Sequence, residues 1–291
     1  MLVALTILVS GLIPEDSGKT WLTLGTALVV KERGFRVSVF KPVAGHNLWY
    51  SPRTLRKSFE LALLVGNDIL AYYEAGLARD IKVSNPIDVA TAPPDPTLYA
   101  SFRDYASDFE DVSKTAVLSR IYKCRGEAVE HYVHYENVAK TTSRVQRAVR
   151  RLAKTLGAKP LAFSEVYRYM TSSQVEEDLD KCLSVLEKDS DVVFVESFND
   201  AVTPYGGLLD SIDLLLVVAP GKVLVYKDIA ALKEALRAAF KELGSLAFKS
   251  MYVVNSLKPD SSFETGFALK PGARRVHVKL FEEVVLQLLK K

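Results

Sequence analysis

The sequence predicts an α/β fold built on a doubly wound, mostly parallel sheet, with a helical and hairpin insertion in the middle of the chain. Three observations predict it. Residues 2–9 are continuously apolar and rich in Val, Ile and Leu, the pattern of a parallel strand covered on both faces. Strand, helix and strand follow one another within the first 40 residues, and the same alternation returns after about residue 190. Between the two, from about Tyr99 to Ser173, that rhythm is lost.

Taken in order, "LVALTILV" reads as the first strand and Gly18–Arg33 as the first helix, with Gly34 as its stop. "RVSVF" is a second strand ending at Phe40. Residues 53–76 read as a helix polar on one face, and "SNPIDVATAPPDP" as irregular chain punctuated by proline. "AVLSRIYKCRGEAVEHYVHY" alternates like a hairpin turning at Arg125-Gly126, with helix as the alternative. "SRVQRAVRRLAKTLG" is a basic helix for which Ser143 is a candidate N-cap. "DVVFVE", "DLLLVVA" and "SMYVVN" read as three more buried strands, with a helix over roughly 223–243 between the last two. "RRVHV" and a helix from about Lys279 close the chain. The expected division is residues 1–98 and 174–291 as the α/β core, and residues 99–173 as a basic insertion.

Composition narrows the classes. The chain has 291 residues, 48% hydrophobic and 25% charged, as in an ordinary globular protein. A net charge of +3 is too small to imply nucleic acid by itself, but residues 114–171 hold twelve Lys/Arg against four Glu. The two cysteines, Cys124 and Cys182, lie far apart without metal-site spacing, so neither a disulfide scaffold nor a zinc site is expected and a reducing cytoplasm fits. The apolar N-terminal run is too short for a membrane span, and no membrane association is expected.

The chemistry concentrates in "SGLIPEDSGKT", residues 10–20. Gly18, Lys19 and Thr20, after a buried strand and opening a helix, supply what a phosphate site needs. These are inward N–H groups, a small residue at the turn, a lysine for terminal phosphates and a hydroxyl for Mg²⁺. The alternative is an ordinary strand, loop and helix carrying a solvated lysine. The spacing G-x-x-x-x-G-K-[ST] asks for glycine at position 13, where Ile13 stands; the nearest upstream glycine is Gly11. Lys41, at the end of the second strand, would point into the same crevice as Lys19; the alternative is a solvated turn residue. Glu196 ends an apolar strand, where a bound Mg²⁺, a helix cap or a salt bridge would offset its burial. Asn255 could offer an amide to adenine or simply form a turn. His46 could touch a substrate, and His131 with His134 are too few for a metal site.

These residues resemble the dethiobiotin synthetases, a P-loop family in the class that also holds MinD-like and cobyrinic-acid amidating enzymes. The matching features are Glu15 and Asp16 before Gly18-Lys19-Thr20, Lys41-Pro42-Val43, Glu60 in "FELALL", Asn85-Pro86 with Ala90 and Pro93, Val195-Glu196, and Asn255 in "VVNSLKP". They cover roughly residues 2–98 and 176–260. The resemblance implies binding of ATP and Mg²⁺, and transfer of the γ-phosphoryl group to a small carboxylate or carbamate acceptor in a ligation or cyclisation. It implies Lys19, Lys41 and Asp16 as catalytic residues. Glu15, Asp16, Ser17, Gly18, Lys19, Thr20, Trp21 and Asn255 would hold the nucleotide, and Thr20, Glu196 and Glu60 the metal. It also implies a homodimer. The alternative is a regulatory ATPase whose basic insertion meets a protein or nucleic-acid partner; nucleic acid is not the favoured partner. Residues that would recognise the acceptor are not carried over.

Overall fold

The computed structural model describes residues 4–266 and 274–290. Its strands, in chain order, are β1 (Leu5–Gly11), β2 (Val37–Phe40), β3 (Val43–Asn47), β4 (Ile87–Thr91), β5 (Ala116–Lys123) and β6 (Ala128–Val133). After these come β7 (Lys159–Pro160), β8 (Val192–Glu196), β9 (Leu214–Ala219), β10 (Lys222–Tyr226) and β11 (Ser261–Glu264). Three helices matter most for the N-terminal half: α1 (Lys19–Glu32), α2 (Pro52–Leu61) and α3 (Asn67–Glu74).

The fold is α/β as expected, with strands mostly parallel, but they form two mixed sheets rather than one doubly wound sheet. The six-stranded sheet runs β11-β10-β9-β1-β8-β2, and the five-stranded sheet runs β3-β4-β5-β6-β7. The chain correspondingly divides into two compact units, one of Met1–Pro42, Ala71–Ser84 and Cys182–Lys291, the other of Val43–Leu70 and Asn85–Lys181. The second unit therefore includes residues 43–70 and 85–98, which the sequence reading placed with the nucleotide core. The reason is register: β3 pairs in parallel with β4, and β4 pairs antiparallel with β5, drawing both into the sheet of the hairpin.

In the first unit, β1 lies between β8 and β9, parallel to both, and β2 is parallel to β8. All seven residues of β1 are buried, as are all five of β8, which is why their sequences carry no polar alternation. The helix α1 packs its Gly25 so tightly on His277 that a Cβ there would come within 2.2 Å of the imidazole. In the second unit, β5 and β6 form the expected antiparallel hairpin. Leu118, Val133, Val149 and Leu152 share one apolar core, with Leu55 and Phe59 of α2 packed against it.

Several elements differ from expectation. "SMYVVN" is a helix, Ser250–Ser256, not a strand. Residues 222–226, read as the start of a helix, form β10; the helix begins only at Ile229, where Asp228 caps it by accepting from the Ala231 N–H at 2.9 Å. Ile87–Thr91, read as irregular, is a buried strand that starts just after Pro86, a place where proline costs no ladder hydrogen bond. The helix expected over 53–76 breaks at Ala62, whose φ of 48° is left-handed, into α2 and α3. "RRVHV" lies in the helix Arg274–Leu280. The basic helix, Ser143–Leu156, has Thr142 rather than Ser143 at its N-cap, with no side-chain cap. Cys124 and Cys182, expected as free thiols, are both disulfide-bonded. No helix among the described residues is long and apolar enough to cross a membrane.

Candidate functional site

In the first unit, β1, β8 and β2 are neighbouring parallel strands, so Gly11, Glu196 and Lys41 come to the same, carboxyl-terminal edge of the sheet. Ligands of open α/β sheets collect at that edge. Residues 12–18 then loop from β1 into α1, whose N-cap is Gly18 at φ 94°, a left-handed geometry that glycine adopts without strain. No side chain caps this end of α1, and its first turn holds no acidic residue. Its N-terminal amides and the positive end of its dipole are thus left facing the loop.

Lys19 turns inward and is only 7% exposed. Its Nζ donates to the Asn199 carbonyl at 2.6 Å and to Ser17 Oγ at 3.2 Å. Gly11 explains how it fits. A Cβ at position 11 would stand 2.5 Å from Lys19 Nζ and 2.6 Å from Ser17 Oγ, so only glycine admits the ammonium there. The glycine that seemed displaced is the floor under Lys19. Backbone strain gathers on both sides of the ammonium, with Asp16 at φ 51° and Asn199 at φ 45°.

Glu196 is the hub of the site and is 1% exposed. Its Oε1 accepts from Lys41 Nζ at 2.6 Å and from Thr20 Oγ1 at 3.1 Å, and its Oε2 accepts from the Tyr72 hydroxyl. Lys41 also donates to the Ser197 carbonyl at 3.0 Å. The salt bridge left open as one explanation of a buried Glu196 is present, therefore, and it runs to the other lysine that the sequence singled out. Next to the hub, the buried Ser197 Oγ has no hydrogen-bond partner among the described residues. Tyr72 and Ser197 were missed. Neither belongs to a sequence motif, and Tyr72 reaches the carboxylate from the chain segment 71–84, far from the other partners in sequence.

The other candidates take no part in the contacts described above. Glu15 and Asp16 are exposed on the loop, and Trp21 is 42% exposed on α1. Asn255, expected at a strand end, is exposed on the helix Ser250–Ser256, so the geometry that suggested adenine recognition is absent. Glu60 belongs to the second unit, on the exposed side of α2, where Lys57 Nζ holds its carboxylate at 2.7 Å. Among the described residues no group of three or more His, Cys, Asp or Glu could hold a metal. The oxygens beside one another are Thr20 Oγ1 and Glu196 Oε1. This hard pair suits a Mg²⁺ that keeps most of its shell from phosphates and water.

The second unit buries its own polar cluster. Asp88 and Arg120 face each other across β4 and β5, and Arg120 faces His131 across β5 and β6. Arg120 donates to the carbonyls of Leu64 and Asn85 and to Asn85 Oδ1. His46 Nδ1 meets Asp88 Oδ1 at 3.1 Å, beside a cleft of about 190 Å³ that His46 lines with Ser51, Gly66 and Asn67. His131 accepts the Leu64 N–H on Nε2 at 3.2 Å. Burial first, then the neighbouring Arg120 guanidinium, push its pKa down to about 4. Above pH 6.5 the ring is neutral in both the folded and unfolded chain. As pH falls from 6.5 to about 4, the unfolded chain gains a proton that the folded one refuses, so stability drops through that window. Of this fall, about 3 kcal/mol is expected to belong to His131, and His131→Gln should flatten the pH dependence of the urea midpoint there.

Comparison with known proteins finds no protein-family model and no curated protein that matches this chain.

Proposed function

We propose that the first unit binds Mg-ATP at the loop between β1 and α1. The protein would then act as an ATP-dependent ligase or cyclo-ligase of the dethiobiotin synthetase type, passing the γ-phosphoryl group to a small carboxylate or carbamate. The observation that carries this reading is the gathering of positive groups at one sheet edge. The uncapped start of α1, the Lys19 ammonium and the Lys41 ammonium meet there with one buried carboxylate between them. An arrangement with more positive than negative ends, built into a buried edge, suits a polyanion.

In this reading the amides before Lys19 and its Nζ hold the phosphate chain. Thr20 and Glu196 hold the metal, which would neutralise charge on the transferring group. Lys41 leaves Glu196 for the phosphoryl oxygens or the acceptor carboxylate, and Tyr72 keeps Glu196 in place as it does so. Such transfer asks for positioning and fixed charge more than for a covalent catalyst.

Calorimetric titration with ATP and Mg²⁺ tests the site. The parent is expected to bind, and Lys19→Ala to weaken binding about 100-fold, as loss of a charge-assisted contact does. Equal binding by the two chains would remove the loop assignment. Phosphate release that rises several-fold with one small amine or carboxylate separates an enzyme from a nucleotide-driven switch.

A further inference from the structure

We infer that the second unit carries a docking surface for single-stranded nucleic acid, formed by α2 and the helix Ser143–Leu156. The two helices pack against each other, with Leu55 and Phe59 of one and Val145 and Leu156 of the other on a common apolar core. Most of what they turn outward is cationic. The longer helix carries Arg144, Arg147, Arg150, Arg151 and Lys154, all exposed, and no acidic residue. No carboxylate among the described residues pairs with any of the five. Arg56 and Lys57 of α2 share Glu60, and Arg53 lies a turn earlier. Together the two helices hold eight cations and one carboxylate.

The spacing gives the surface a direction. Arg144, Arg147, Arg151 and Lys154 follow one another at three and four residues, a single stripe about 15 Å long at 1.5 Å per residue. Two of the eight cations are held flat rather than left waving. Arg150 lies over the Tyr135 ring at 5.9 Å and Arg151 over Phe59 at 5.5 Å, an arrangement that lowers the entropy lost on binding. Six of the eight cations are arginine, whose planar fork suits phosphate oxygens.

Charge alone does not choose among polyanions, but the helix faces do. A helix that lies on an anionic membrane needs apolar side chains beside its cations. Here Val149, Leu152 and Ala153 are spent on the protein core. A nucleic acid needs only the cations, and a single strand also gains from aromatic platforms for its bases. Trp49 and Tyr50 stand 68% and 70% exposed immediately before α2. This surface is independent of the nucleotide site proposed above.

The test measures binding of a fluorescent 20-nucleotide oligo(dT) and a 20-base-pair duplex by anisotropy at several salt concentrations. Phosphatidylserine vesicles and polyglutamate serve as competing polyanions, and Lys19→Ala as a chain with the surface intact. The parent and Lys19→Ala are expected to bind oligo(dT) with a logarithmic salt slope of about −3.5, five phosphates at about −0.7 each. The triple variant Arg144→Glu/Arg147→Glu/Lys154→Glu changes only exposed positions, and circular dichroism checks its fold. It should lose at least tenfold in affinity at the lowest salt, with a slope nearer −1.4. Trp49→Ala should bind about tenfold more weakly at unchanged slope. No binding at 50 mM salt, undiminished binding by the triple variant, or capture of vesicles or polyglutamate in preference to oligo(dT) would overturn the proposal. Tighter binding of duplex, with Trp49→Ala equal to the parent, would overturn the single-strand assignment.

Discussion

Glu196→Ala is expected to cost the protein about 3–5 kcal/mol, read as a fall in the urea midpoint, because it breaks a buried ion pair from one side. The Lys41 side chain is 5% exposed and that of Glu196 1%. With the carboxylate gone, the Lys41 ammonium stays in the protein beside the neutral Ser197 carbonyl at 3.0 Å, and the hydroxyls of Thr20 and Tyr72 lose this acceptor. Glu196→Gln should fall between parent and alanine, since an amide oxygen still accepts hydrogen bonds but carries no charge. The double variant Glu196→Ala/Lys41→Met should recover much of the loss, because removing both charges removes the desolvated ammonium. A single variant within about 1 kcal/mol of the parent would mean that the hub is not closed in solution.

Arg120→Met should be of similar size, about 3–5 kcal/mol, and for a related reason. Arg120 is fully buried and joins three chain segments: β5, which carries it, the Leu64 carbonyl and Asn85. Methionine is uncharged and cannot donate to those acceptors, and it removes the positive charge from the ladder position opposite Asp88. Arg120→Lys should rescue little, because one ammonium cannot reproduce a fork that reaches both carbonyls. Asp88→Asn/Arg120→Met should lie closer to the parent than Arg120→Met does. Thermal unfolding of the four chains decides it; a lysine variant as stable as the parent would exclude the fork as the cause.

The strands that could be read from sequence are those whose burial leaves no ambiguity. β1, β8 and β9 are apolar on both faces, so their runs of Val, Ile and Leu match no surface helix. The hairpin of β5 and β6 was readable from its turn at Arg125-Gly126 between two β-rich runs, although β5 itself is buried over seven successive residues. Other segments misled because a short apolar run fits either structure. Tyr252, Val253 and Val254 favour strand locally, yet Ser250–Ser256 turns only Ser250 and Val253 fully inward, at helical spacing. In β4, the prolines at 86, 93 and 94 outweighed a strand that has four of its five residues buried.

At the candidate site, the residues that a motif marks are brought together by the structure, and those defined by contact carry no mark in the sequence. Lys19, Thr20, Lys41 and Glu196 stand at strand ends and at a helix start, positions a sequence announces. That Lys41 would bind Glu196, that Tyr72 would join them, and that Gly11 would make room for Lys19 depend on chain crossings that no local pattern encodes. Asn255 was read at a strand end, and that segment is the helix Ser250–Ser256. Glu60, a carboxylate four residues after Arg56 and three after Lys57, finds its partners on its own helix.

The isoelectric point near 8.6 averages two very different surfaces. A chain of net charge +3, whose two packed helices hold eight cations and one carboxylate, leaves −4 for everything else. In dilute buffer one molecule can therefore present its basic patch to the acidic remainder of the next, so clustering should be a low-salt habit that ordinary ionic strength dissolves. A column of sulfonate beads would grip the protein by that patch alone and hold every molecule in much the same pose.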